Sequence, residues 1–241
     1  MISLKSWWWP KRPARVPGAR TAWLLACLGA VLFGISALLL KAGAVSWDAS
    51  LFRILNEVPA GVASVLTPLS RLLLPAGIAV VVVIAVGYVV VRNRSVLPVA
   101  AAAVAAGGAW ALVHMAKAIA HRARPYQVTA DAVLRQHPAY GTSFPSSHTA
   151  ITVAVVIALV PFLPWALAPV AIAYAVLVGW SRIYLGVHYP LDVLAGAGIG
   201  IAVGGAVLLA LGALLRRAER PANGRDSAET QEPPRSPAAP G

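Results

Sequence analysis

His188 and Asp192 stand four residues apart in SRIYLGVHYPLD, residues 181–192, at the head of a long apolar run. On a helix this spacing lets a carboxylate reach an imidazole, fix its tautomer and stabilise the cation formed when the ring acts as a nucleophile. The same spacing alone would also suit a helix-capping ion pair. A second histidine, His148, lies in SFPSSHTA, residues 143–150, at the mouth of another apolar run. There it is placed to protonate a leaving oxygen, although an isolated histidine at such a boundary is more often an interfacial residue with its hydrogen bonds satisfied. Lys117 and Arg124 are seven apart, two helical turns or about 10 Å along an extended helix. Arg182 joins them from the second loop, and three cations facing one pocket call for an anion. In the 143–150 stretch, Pro145 suits an early helical position, leaving the N–H groups of the following residues unpaired and pointing outward. A helix start with small serines, Ser146 and Ser147, lets a phosphate approach closely.

The elements that must carry these residues follow from composition. The chain has 241 residues, 59% hydrophobic and 12% charged, with a mean hydropathy of +0.75. That is the profile of an integral membrane protein. Apolar runs recur at residues 21–40, 74–91, 96–115, 149–163, 165–180 and 190–215, and a span needs about 20 such residues. The expected fold class is therefore all-α, a bundle of six transmembrane helices. The fourth and fifth runs are short and split only by Pro164, so they read as a tight hairpin; one long bent span would instead reverse the final orientation.

The net charge of +12 does not indicate nucleic acid, because the basic residues are scattered at span ends and not gathered with stacking aromatics. Lys5, Lys11, Arg12, Arg15 and Arg20 precede the first span without an acid, which places the N-terminus in the cytoplasm by the positive-inside rule. Six spans then put Arg92 and Arg94, and Arg216, Arg217 and Arg220, on the same side. The C-terminus is cytoplasmic too, and the active site faces out of the cell membrane. Trp7 to Trp9 fit an interfacial anchor. The first apolar run exceeds the usual 7–15 residue core of a signal peptide, which favours a retained span. Cys27 is the sole cysteine, so there is neither an internal disulfide nor a cysteine-based metal site.

The organisation expected is a basic cytoplasmic segment at 1–20, a six-span domain at 21–216 and a disordered cytoplasmic tail at 217–241, rich in proline, alanine and charge. Residues 45–73 read either as an amphipathic helix on the outer surface, broken at Pro59 and Pro68, or as a packed connecting loop. Gly196, Gly200 and Gly204 form one small-residue face on the last span, suited to close packing by another span or by a second copy in a homodimer.

Three motifs together resemble one family. K-x6-R-P is met by Lys117, Arg124 and Pro125, a P-S-G-H pattern by Pro145 to His148, and S-R-x5-H-x3-D by Ser181, Arg182, His188 and Asp192. Their order and membrane context resemble the type 2 phosphatidic acid phosphatase superfamily, in its membrane-bound bacterial branch, which shares its site with vanadium haloperoxidases. The resemblance implies that His188 attacks phosphorus to form a phosphohistidine, that Asp192 orients it, and that His148 protonates the leaving group and then activates water. It implies that Lys117, Arg124, Arg182, Ser146 and the Ser147 N–H hold the phosphate oxygens, with no metal and no cofactor. Ser147 departs from the pattern, where glycine is usual; the change matters only if the position needs positive φ.

The implied substrate is a lipid phosphate. A polyprenyl diphosphate such as undecaprenyl diphosphate is the first choice, with phosphatidic acid and phosphatidylglycerol phosphate as alternatives, and the loop 126–142 is expected to set the preference. A haloperoxidase and a non-catalytic scaffold or transporter are rival readings. The former are typically soluble, and the latter would be expected to lose the nucleophile or its partner. Of the remaining histidines, His114 is read as making an interhelical hydrogen bond, His121 as a lesser candidate for substrate contact, and His137 as a solvated loop residue.

Overall fold

The structure, a computed structural model, describes residues 14–219 apart from 44, 72 and 74. Trp7 to Trp9, the basic residues before position 14 and the tail from 220 onward lie outside the described residues. Every regular element described is helical: α1 (Ala19–Lys41), α2 (Val45–Asn56), α3 (Ala60–Arg71), α4 (Pro75–Asn93), α5 (Leu97–Ala120), α6 (Pro125–Val128), α7 (Ser147–Leu159), α8 (Ala168–Tyr184) and α9 (Pro190–Glu219). Proline sits in the first turn of α5 and of α8, where its missing N–H costs nothing. The protein is an all-α membrane bundle. Five stretches, within α1, α4, α5 and its continuation, α8 with its preceding turn, and α9, are long and apolar enough to cross a membrane. The bent pair of α2 and α3 makes a sixth if it is counted as one span, and Ser147–Phe162 is a shorter apolar helix. The large apolar side chains of Trp23, Leu24, Leu28, Val31, Ile35 and Leu38 on α1 point outward, as expected of a helix solvated by lipid.

The core is built around α9, which packs along α1 on one side and α7 on another. Small residues make both contacts possible. A Cβ added at Gly198 would lie 2.6 Å from the Phe33 nitrogen on α1, and one at Gly196 would lie 2.5 Å from the Ser146 carbonyl oxygen at the head of α7. Gly200 and Gly204 meet Ala150, Val153 and Ile157 of the same helix. The face of Gly196, Gly200 and Gly204 is thus occupied by α7. It is not open to a second copy, and the homodimer expected as one option has no surface there.

α7 and α8 are joined by two 3-10 turns flanking Leu163 and Pro164. They run antiparallel, with Thr149 beside Gly179 near one end and Leu163 and Leu167 lining a common groove at the other. This hairpin returns the end of α8 to the start of α7, so the two loops rich in polar residues meet at one end of the bundle. Between the first two long helices, α2 and α3 meet at an 87° bend at Pro59. Pro68 does not break α3, although a proline there removes one i→i−4 hydrogen bond from the helix. α2 is amphipathic and packed at once. Asp48, Phe52 and Asn56, spaced four apart, are buried against the polar end of the bundle, while Trp47, Leu51 and Ile54 are exposed.

Candidate active site

His188 lies in the short link between α8 and α9, entered through Gly186 at φ +81°, a conformation that suits glycine. Asp192 is in the first turn of α9. His188 Nδ1 is 3.4 Å from Asp192 Oδ2 and 3.4 Å from Ser143 Oγ, and Arg124 Nη1 is 3.4 Å from His188 Nε2. A guanidinium can only donate, so Nε2 presents its lone pair and the hydrogen-bond network assigns the proton to Nδ1, facing the carboxylate. Asp192 is itself held at both oxygens. Oδ2 accepts from Ser143 Oγ at 2.5 Å and from the Tyr189 N–H at 2.8 Å, and Oδ1 accepts from Arg122 Nη1 at 2.7 Å. Both His188 and Asp192 are buried. Burial pulls the His188 imidazole down to about 4; Asp192 opposes the shift, and the Arg124 and Lys117 charges add to it. The ring is therefore neutral and nucleophilic at ordinary pH.

Lys117 and Arg124 reach this ring by different routes from the one expected. α5 ends at Ala120, and His121 takes a left-handed conformation at φ 45°. Arg124 is extended at φ −81° and ψ 155°, as the residue before Pro125 must be. The two cations are therefore not stacked on one helix. Lys117 projects from the last turn of α5 and donates from Nζ to the carbonyls of Thr142 at 2.5 Å and Ser143 at 3.2 Å. Arg124 turns back beneath the 140–142 loop and donates to the carbonyls of Tyr140, Gly141, Thr142 and Val187. Arg182, 1% exposed, donates to Leu73 O at 2.7 Å and to its neighbour Ser181 Oγ. Among the described residues, every hydrogen-bond acceptor of these three cations is neutral, and none of them forms an ion pair with a carboxylate.

The head of α7 differs from expectation by one residue. Pro145 precedes the helix, Ser146 is its N-cap and Ser147 its first residue. Ser147 is absent from the residues with positive φ, so serine fits where glycine was expected. Ser146 N–H donates to Asp192 O at 2.9 Å, tying α7 to α9. Its hydroxyl accepts from Thr149 Oγ1 at 3.0 Å and keeps its own proton to donate. His148, half-buried in the first turn, lies within electrostatic reach of Arg182, His188, Arg124 and Lys117. The eight residues singled out in the sequence thus converge at one end of the bundle. The other histidines do not join them: His114 bonds the Trp110 carbonyl of its own helix at 2.8 Å and packs at a tilt against the Trp110 ring, so its partner is intrahelical. His121 and His137 are exposed.

Three residues escaped the sequence reading. Ser143 opens the SFPSSHTA stretch, two residues before the motif Pro145 to His148, and its hydroxyl serves Asp192 directly. Arg122 lies between the specified positions of K-x6-R-P, and Asp48 lies far upstream on α2; the two form a 2.5 Å ion pair. The available signal was that Asp48 is one of only eight acids in the chain and recurs at four-residue spacing with Phe52 and Asn56.

Residues 97–216 match the PAP2 superfamily, a span that contains all three motifs and runs from α5 through most of α9. The chain belongs to the PAP2 superfamily. It is a multi-pass membrane phosphatase of that superfamily. Two solved structures share its architecture. One is the transmembrane PAP2-type phosphatidylglycerolphosphate phosphatase from Bacillus subtilis, at 23% identity and a TM-score of 0.60, covering 80% of this chain and 98% of that one. The other is LpxE from Aquifex aeolicus, at 27% identity and a TM-score of 0.56, covering 66% of this chain and 93% of that one. No curated protein sequence matches the chain. The PAP2 match leaves α1 to α4 outside it, so Asp48 belongs to no part of the matched region.

Proposed function

We propose that this PAP2 protein hydrolyses the phosphate headgroup of a membrane lipid through a phosphohistidine at His188. The observation that carries this reading is the meeting of three cations, none balanced by a carboxylate, with Lys117 and Arg124 acting on the neutral His188 imidazole and Arg182 on His148. Buried cations without a counter-ion are costly, and a phosphate's oxygens would supply the missing charge. The His188 Nε2 lone pair forms a bond to phosphorus as the bond to the lipid oxygen breaks, and His148 gives that oxygen a proton. Water then attacks phosphorus, His148 takes the water's proton, and the P–N bond breaks to release phosphate. Asp192 stabilises the imidazolium formed in between. The three cations, the Ser146 hydroxyl and the Ser147 N–H hold the equatorial oxygens, where charge stabilisation dominates the transfer.

Lipid is the expected substrate class because the site opens at one end of a membrane bundle. An apolar groove of about 410 Å³ between α4, α7 and α8 begins at Thr152, one turn from His148, and continues to Leu163 and Leu167. Arg92 ends α4, and Arg216 and Arg217 end α9, at the end of the bundle away from Asp192. The positive-inside rule then puts the site on the extracytoplasmic face with the termini in the cytoplasm. Among lipids, a polyprenyl diphosphate is our first choice, since an outward-facing phosphatase would recycle the carrier lipid of the cell wall.

The test is phosphate release by the protein in lipid nanodiscs, with EDTA present, from undecaprenyl diphosphate, phosphatidic acid and phosphatidylglycerol phosphate. Release that survives EDTA and disappears in folded His188→Ala is the expected result, and the ranking names the lipid. Turnover retained by the alanine variant would overturn the mechanism.

A further inference from the structure

Among the described residues, Arg122 is the one cation at this end of the bundle whose charge is already matched. Its guanidinium, 9% exposed, forks between two carboxylates, Nη1 to Asp192 Oδ1 at 2.7 Å and Nη2 to Asp48 Oδ2 at 2.5 Å. It also lies 4.1 Å from the centroid of the Tyr189 ring. The second oxygen of Asp48 accepts the N–H of Leu191 at 2.9 Å. Phe52, one turn further along α2, packs edge-on against Tyr189 with centroids 5.4 Å apart. The segment from His188 to Asp192 is therefore gripped from α2 at Tyr189 and at Leu191.

The position of Asp192 Oδ2 depends on this grip. Oδ2 is shared among Ser143, the Tyr189 N–H and His188, whereas Oδ1 has Arg122 as its donor. Asp192 is fully buried, so water does not replace a lost donor, and an unpaired Oδ1 would turn the carboxylate to seek another. That rotation would carry Oδ2 away from the imidazole. We infer that Arg122 is a positioning residue for the nucleophile, holding Asp192 so that His188 keeps its proton on Nδ1, and that Asp48 of α2 holds Arg122. The inference rests on the reading of His188 as nucleophile. It also separates Arg122 from Arg124: two carboxylates neutralise the former, which leaves it out of phosphate binding.

The experiment uses the full chain in nanodiscs and compares Arg122→Gln, Arg122→Lys, Asp48→Asn and Arg124→Gln with wild type. Steady-state kinetics and inhibition by orthovanadate, a phosphate mimic, are read for each. In Arg122→Gln, kcat should fall roughly ten- to a hundredfold, the loss typical when an outer partner of a site residue is removed. KM and the vanadate inhibition constant should stay within about twofold, the pattern of an interaction that does not touch the ground state. Arg122→Lys should restore part of kcat, and Asp48→Asn should lose less than Arg122→Gln. Arg124→Gln should instead weaken vanadate. An unchanged kcat in Arg122→Gln overturns the inference, as does a loss of vanadate affinity equal to that of Arg124→Gln.

If wild type releases no phosphate, the functional reading fails, and the nitrogen-15 spectrum of the His188 ring decides the positioning role without turnover. A proton resident on Nδ1 in wild type that becomes shared between both nitrogens in Arg122→Gln supports it; identical spectra overturn it. Should Arg122→Gln fail to fold, Arg122→Lys and Asp48→Asn carry the same comparisons.

Discussion

In the mechanism we propose, His188 must meet two demands that usually conflict: a nucleophile has to stay unprotonated, and its ring has to tolerate a positive charge once bonded to phosphorus. Burial and the neighbouring cations meet the first, by pulling its pKa down to about 4; Asp192 meets the second. An NMR titration of the ring should accordingly show protonation near pH 4, well below the value of about 6.5 for a free histidine. Because protonation removes the attacking lone pair, any acid limb of kcat/KM due to His188 should lie in that lower range. A ring that titrates near 6.5 would mean that the cations and burial act less strongly than their placement implies. Replacing Asp192 with Asn removes both the negative charge and the preference for Nδ1–H, and should lower kcat by about two to four orders of magnitude, as in other imidazole–carboxylate pairs. Arg124→Lys is not a conservative change here. A single ammonium cannot span the carbonyls of Tyr140, Gly141, Thr142 and Val187 and still face His188, so both KM and vanadate inhibition should worsen.

At the level of helices, the joint between α7 and α9 decides whether the site exists. Gly196→Val would drive a side chain into the Ser146 carbonyl, at the same residue whose N–H binds Asp192 O. The expected outcome is a lower melting temperature together with loss of phosphate release, whereas a valine at exposed Gly107, which has open space around it, should leave melting unchanged. What could be read from sequence at this scale follows a simple physical division. The long helices were legible because lipid leaves the backbone no partner but itself, and His188–Asp192 was legible because an i, i+4 contact is local. The 117–124 geometry was not, since nothing in HRARP announces that His121 adopts a left-handed conformation and ends α5. Arg122–Asp48 was beyond reach for another reason: the partners are 74 residues apart, and no periodicity links them. The face of Gly196, Gly200 and Gly204 was visible while its partner was not, because a small-residue face accepts any helix.

On the scale of the whole molecule, the candidate site lies at one end of the bundle and the described basic span ends at the other. A single cysteine introduced at Tyr140, which is 99% exposed in the loop above Arg124, tests the orientation in a Cys27→Ala background. Tyr140→Cys should react with a membrane-impermeant maleimide added to intact cells; reaction only after the membrane is opened would put the site inside. The site draws on α2, α5, α7, α8 and α9, so it is complete only when these helices are assembled. Lys117 and Arg124 repel one another across that assembly, and Arg182 adds a third charge with no carboxylate partner. An oxyanion that settles among them does more than present itself for reaction: it becomes a thermodynamic strut for the fold. By ligand linkage, vanadate at a hundred times its dissociation constant should add about 2.7 kcal/mol to the stability of the native state. Thermal melting should therefore rise with vanadate in wild type and rise less in Arg124→Gln, which makes heat a reporter of the proposed phosphate pocket.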